Sequence, residues 1–369
     1  MSRNLIPLSV AASLLGGTAM ADVPSVAVDI APVHSLVARV MQGVGEPSLI
    51  VAPGATPHEY NLRPSEAAAL QEADLVFWVS PDLTPWLDDA IETLAGDATV
   101  TALLEVDGTM ELPFREGALF EAHSHGDEGH DDHDHGAHDH DDKHDDHDHD
   151  DHAHDEDHDG HGHAEHAEEA GHDHDDHDHE EHDHDHEEHA DHGHEGHDHG
   201  DHDPHAWLSP DNGAVWLNAI ASQLSAADPD NAGAYFANAA AGREELAALS
   251  DEINSILDPV RDRNFIVFHD AYQYFESAFD FPASGAISVS DASDPSPARI
   301  AEIQKRVVDQ GVTCVLSEPQ FDPGIVDAVM DGSRANTGVL DPLGSDLKPG
   351  PDLYGKVLRN LATALADCL

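Results

Sequence analysis

Between His123 and His202 the chain is almost entirely histidine and acid, in runs such as HDDHDHGAHDHDDKHDDHDHDDHAHD. A segment this polar cannot bury enough apolar surface to offset the entropy of ordering it, so it is expected to be disordered. Whatever folds must therefore be assembled from the two flanking stretches, with the tract as an insertion. The same composition makes the tract a polymer of metal donors. It holds 29 of the 33 histidines, which leaves only His34, His58, His205 and His269 elsewhere.

The tract also distorts the charge. Residues 121–203 carry 36 acids against the single Lys143, so 35 of the 61 net negative charges lie there and −26 remains for the rest. An acidic chain without a basic patch argues against nucleic acid and anionic membrane surfaces, and suits cations. Histidines flanked by carboxylates should lose metal capacity as pH falls.

The first 21 residues read as a secretory signal: Arg3, an apolar stretch from Leu5 to Leu15, and the cleavage site Ala19-Met20-Ala21. The mature chain would begin at Asp22. The apolar stretch is too short for a normal membrane span, and no Cys follows the site to carry a lipid. In an exported chain an even pair of cysteines, Cys314 and Cys368, favours a disulfide over two buried thiols.

Removing the signal and the tract leaves about 265 residues, more than one small core and enough for two α/β lobes. Residues 23–30 read as a strand, His34–Val44 as a helix and Ser48–Val51 as a strand. The loop ATPHEYNLRPS follows, then a helix capped by Ser65, then the strand DLVFWVS. After the tract, 214–226 is helical. An Ala/Leu/Glu-rich stretch from about 230 to 257 predicts the longest helix, ending before Asp258-Pro259. Alternation then restarts with NFIVFHD, AYQYFESAF, AISV, PARIAEIQKRVVDQG, VTCVLSEPQF, DPGIVDAVMDGSR and TGVLDPLG. The reading is α/β: two Rossmann-like βα lobes joined by one long helix. It divides the chain into 1–21, a first lobe at 22–228 with the disordered loop 121–203 inside it, a linking helix at 229–257 and a second lobe at 258–369.

Ligands of open parallel sheets bind beyond the carboxyl ends of the strands. His58, His205 and His269 all sit where a strand gives way to a loop, and Asp341 in LDPLG is placed likewise. Three imidazoles with a carboxylate or water form a set that zinc accepts, whereas an all-oxygen set would point to magnesium, calcium or manganese. His34, Glu59, Tyr272, Tyr274 and Phe275 read as structural or solvated residues.

In the order GATPHEYNLRPSE, DPHAWLSP, FHDAYQYFE, CVLSEPQF and LDPLGS, with the His-rich insertion between the first two, the chain resembles the zinc-specific solute-binding proteins of ABC importers. These are the ZnuA type among metal receptors with a rigid interlobe helix, and the resemblance covers residues 23–369. It implies a periplasmic monomer that captures Zn²⁺ and delivers it to an ABC permease served by a separate ATPase subunit. It implies His58, His205 and His269 as ligands, a Cys314–Cys368 disulfide and no enzymatic activity. Manganese-type relatives place Glu where this chain has His269. Some zinc-type members have Glu immediately before the first ligand; here that position is Pro57, which leaves the fourth place to Asp341, water or a tract residue. The chain has no G-x-x-x-x-G-K-[ST] loop of its own to bind nucleotide. The competing readings are a periplasmic zinc buffer or metallochaperone and, with three imidazoles and a water, a zinc hydrolase. The tract itself reads as zinc antenna, sensor of excess zinc, or spacer.

Overall fold

The computed structural model describes residues 23–115, 120, 202–288 and 295–369. The expected signal segment and the tract up to residue 201 lie outside the described residues.

The first lobe runs β1 (Val26–Val28), α1 (Ala31–Val40), β2 (Ser48–Leu49), α2 (Pro64–Gln71), β3 (Leu75–Trp78), α3 (Pro85–Leu94) and β4 (Thr99–Ala102). Its sheet is parallel, in the order β2-β1-β3-β4. The central strands VAV and LVFW are buried along their whole length, as both faces of a helix-covered parallel sheet require. At their carboxyl ends the buried Asp29 ties β1 to β3, accepting the backbone N–H of Ile30 and of Val79, each at 2.7 Å. Burial pushes this carboxyl up to about 7 despite those two bonds.

The second lobe repeats the plan. It contains β5 (Phe265–His269), α6 (Gln273–Phe279), β6 (Ala286–Ser288), α7 (Pro297–Asp309), β7 (Cys314–Ser317), α8 (Pro323–Met330) and β8 (Asn336–Val339). Its sheet is also parallel, in the order β6-β5-β7-β8. In each sheet the first strand in sequence is an inner one, flanked by the second and third. Its carboxyl end is thus a place where successive connections leave in opposite directions, the usual position of a ligand crevice.

Between the sheets lie α4 (Pro210–Ala227), α5 (Ala232–Leu257) and α9 (Leu353–Cys368). Helix α5 buries Tyr235, Ala239, Gly242, Leu246, Leu249, Ile253 and Leu257, a single stripe at three- and four-residue spacing. At about 1.5 Å per residue its 26 residues extend roughly 39 Å. Asp228 organises its start, accepting from the Asn231 amide at 2.7 Å and the Tyr235 hydroxyl at 2.8 Å. Helix α9 packs on α5 and α1, and its backbone at Tyr354 donates to the Ser35 hydroxyl at 2.9 Å. One hydrophobic cluster therefore runs through both lobes, from Val28 and Phe77 through Trp216 and Ile253 to Phe265 and Leu361. Smaller clusters lie on the outer face of each sheet.

Most expected elements are present, with shifted ends. Helix α1 starts at Ala31 rather than His34, because Pro32 presets the first-turn φ, and it stops before Gly43, whose φ is +82°. Helix α2 starts at Pro64, so Ser65 lies inside it. The capping contact comes from Glu66, which accepts the Arg63 N–H at 2.7 Å. Helix α4 begins at Pro210 with Ser209 as its cap, four residues before the apolar pattern starts. The sequence reading had no counterpart for α3, β4 or α9. Among the described residues, no helix is long and apolar enough to cross a membrane.

Cys314 and Cys368 form a disulfide between β7 and the end of α9, with Cα atoms 5.8 Å apart and a sequence separation of 54. Opening a loop of that length releases chain entropy worth up to about 4 kcal/mol. A Cys314→Ala/Cys368→Ala variant should lose about 2–4 kcal/mol in urea unfolding, and reductant should lower the wild-type midpoint but not the variant's. An unchanged midpoint in the variant would show that the bond adds nothing to stability.

Candidate metal centre

His58, His205 and His269 arrive from three different elements. His58 lies in the loop after β2, with its backbone N–H 3.4 Å from the Thr56 hydroxyl. That loop is held from two sides. The Trp86 indole of α3 donates to the Pro57 carbonyl at 2.7 Å, and the Tyr60 hydroxyl donates to Glu66 of α2 at 2.8 Å.

His205 follows the point where the chain re-enters the fold. His202 pairs with Pro113 in an isolated antiparallel bridge, and the Asp203 N–H donates to the Leu112 carbonyl at 2.8 Å. Tyr274 of α6 grips both stems: its hydroxyl donates to the Asp203 carbonyl and accepts the Leu112 N–H, each at 2.9 Å. A 3₁₀ turn, Ala206–Leu208, then leads into α4. Its Trp207 indole donates across to the Pro342 carbonyl at 2.9 Å. The third imidazole, His269, ends β5.

Two of the three rings are oriented by buried carboxylates. The Nδ1 of His205 is 2.7 Å from an Asp203 oxygen, and the Nδ1 of His269 is 2.7 Å from a Glu318 oxygen. Each carboxylate also receives the backbone N–H of its own histidine, at 3.0 and 3.3 Å. With an ionised carboxylate at Nδ1, that nitrogen carries the proton and Nε2 keeps its lone pair for a cation. Both acids are sealed in, Asp203 at 2 % and Glu318 at 4 % exposure. Burial pushes Asp203 up to about 7, opposed by the His205 N–H and by nearby Arg115. A bound cation favours its ionised form.

The rings cluster around His205, whose centroid is 5.5 Å from that of His58 and 5.3 Å from that of His269. Tetrahedral nitrogen donors at about 2.0–2.1 Å from a zinc ion place neighbouring ring centroids roughly 5 Å apart, so these spacings suit one shared ion. Among the described residues no set of three or more His, Cys, Asp or Glu side chains already converges closely enough to hold a metal ion. The cluster borders a cavity of about 20 Å³, walled by Pro57, Trp207, Phe321 and Leu343 and bordered also by Glu318 and Gln320. That volume admits an ion or one water.

Asp341 is not among the residues bordering this cavity. Its carboxylate accepts the backbone N–H groups of Leu343, Gly344 and Ser345 at 3.1, 2.9 and 2.6 Å, and so shapes the turn that carries Pro342 and Leu343 to the cleft. His34 stands apart: its Nε2 is 3.0 Å from the Pro47 carbonyl. Asp203 and Glu318 had no role in the sequence reading. Both lay within the quoted motifs, and a signal was present in each: an acid two residues before one histidine, and an acid just past the neighbouring strand β7.

Comparison with known proteins agrees in one direction. Residues 26–368 match the family described as ZnuA, "Zinc-uptake complex component A periplasmic". The high-affinity zinc uptake system protein ZnuA of Brucella abortus (strain 2308) is 44% identical over 371 residues, covering 100% of this chain and 99% of that protein. Its counterpart in Paracoccus denitrificans (strain Pd 1222) is 41% identical over 98% of this chain and 97% of that protein. A crystal structure of ZnuA superposes with a TM-score of 0.63 at 21% identity, covering 94% of this chain and 99% of that chain; at such identity it speaks for the fold alone.

The carboxylate–imidazole pairs generate a direct test. Glu318→Gln keeps the size of the side chain but lets its amide present a donor to His269. It should weaken divalent-metal affinity roughly 10- to 100-fold in chelator competition while the far-UV spectrum stays unchanged. Wild-type affinity in this variant would remove Glu318 from the site.

Proposed function

The chain belongs to the ZnuA family of periplasmic zinc-uptake components, and on that footing we propose that it captures Zn²⁺ on His58, His205 and His269 and passes it to an ABC permease. The observation that carries this reading is the pair of buried imidazoles, each held by a buried carboxylate, with the His58 ring facing them over a cavity of ion size. Nitrogen donors of borderline softness suit zinc over manganese, calcium or magnesium. The fourth position is left to Asp341, a water or a tract residue, because Pro57 offers no side-chain donor.

Capture and release follow from the same geometry. Zinc enters as the imidazoles lose their protons, so binding weakens as pH falls. The ligands come from both lobes, His58 and His205 from one side and His269 from the other, so a small separation of the lobes removes a donor and frees the ion. Energy for transport comes from a separate ATPase subunit working through the permease. The polypeptide acts as a periplasmic monomer after removal of residues 1–21.

The His/acid tract supplies many weak, tethered zinc sites that raise the local supply to the selective one. A buffer would keep its zinc capacity in the tract, whereas a receptor keeps it in the cleft.

Titration distinguishes these. The full chain should show one tight site and many weak ones, and deletion of residues 123–202 should remove only the weak class. His58→Ala and His269→Ala should each abolish the tight site while the metal-free protein melts as wild type. Unchanged tight binding in either histidine variant, or loss of the tight site with the tract, would overturn the assignment.

A further inference from the structure

Resting on that reading of the cleft, we infer that Arg115 is a positioning residue whose clasp across the two lobes sets how fast the bound cation leaves. Arg115 lies on the stem that follows β4. Its Nε donates to both oxygens of Asp270, at 2.9 and 3.0 Å. Its Nη1 and Nη2 donate to the two oxygens of Glu276 in α6, at 2.8 and 3.2 Å. One planar guanidinium thus engages two carboxylates in paired fashion, a geometry that a lysine cannot reproduce. The Phe120 ring covers the guanidinium at 3.6 Å, and both acids are buried.

The position of this clasp is what gives it a role. Asp270 directly follows His269, so Arg115 grips the second lobe one residue from a ligand. The stem carrying Arg115 is also bonded to the segment carrying His205, through the Pro113–His202 bridge and the Asp203–Leu112 hydrogen bond. Moving His205 away from His269 therefore requires the Arg115 bonds to break. Nonpolar packing can slide by fractions of an ångström, but charged hydrogen bonds shielded from water favour one arrangement sharply. The two acids bring an excess negative charge against Arg115, so losing the arginine leaves like charges adjoining one another and drives the β5–α6 corner to rearrange.

Release should respond more than capture, because the clasp acts once the lobes are together. The test is chelator-driven dissociation of zinc from the full chain by stopped flow. The slow phase missing from His58→Ala identifies the cleft. Arg115→Ala should accelerate that phase roughly 10-fold or more, the usual effect of removing a group that supports ligands. Arg115→Lys should fall between the two, and the association rate should stay within about twofold of wild type. Arg39→Ala is the control: it removes an arginine paired with a single carboxylate, Glu245, between α1 and α5, and should leave the rate unchanged. Wild-type release from Arg115→Ala, or equal acceleration in Arg39→Ala, overturns the inference. Should Arg115→Ala fail to fold, Arg115→Lys decides by the same criterion. A slow phase that survives His58→Ala would instead overturn the three-histidine reading and the clasp with it.

Discussion

The short segment from Asp203 to Ser209 is the constraint on which the cleft depends. It is the place where the chain returns from the tract, and it is irregular until α4 begins. Residues of the second half hold it. The Tyr274 hydroxyl donates to the Asp203 carbonyl, the Trp207 indole donates to Pro342, and the Tyr354 hydroxyl donates to the carbonyls of Trp207 and Ser209 at 2.7 and 3.0 Å. Each bond satisfies a buried polar group that would otherwise be costly. Gly213 permits the last of these, since a side chain there would meet the Tyr354 hydroxyl at 2.7 Å. His205 is thus built into the boundary between the lobes, and the other two imidazoles are arranged around it.

That fastening bears on how the imidazole rings are oriented. Buried histidines with ordinary surroundings choose their ring orientation from local packing. Here Asp203 and Glu318 choose it, each through the Nδ1 of its histidine. At Asp203 the pairing has an energetic tension, because burial leaves that carboxylate poorly solvated and its proton is held more tightly. A cation in the cleft relieves that tension.

Much of the plan was legible in the chain. Fully apolar strands such as LVFW and FIVFH, spaced by helical patterns, require parallel sheets covered on both faces. The stripe on α5 is visible as apolar residues three and four apart. The elements that escaped notice have weaker local signals. Strand β4 is TVTA, exposed or half-exposed, and α3 begins at Thr84-Pro85 with few buried positions. Helix α9 carries a clear apolar face, but its meaning lies in what it covers, α1 and α5, more than 90 residues away. Ser65 looked like a cap because serine often is one; Pro64 and Glu66 together set the start of α2 two residues earlier.

By itself the sequence determined that metal was the subject, which four histidines remained once the tract was set aside, and that His269 ends a strand. Composition and periodicity are local properties and survive without coordinates. Tertiary structure decided the partners. Glu318 stands 49 residues from His269, Arg115 stands 155 from Asp270, and Tyr274 stands 71 from Asp203. It also placed three backbone N–H groups of one turn on the Asp341 carboxylate. A hydrogen bond between residues so far apart leaves no periodic trace in the chain, because it depends on two sheets and three helices packing first.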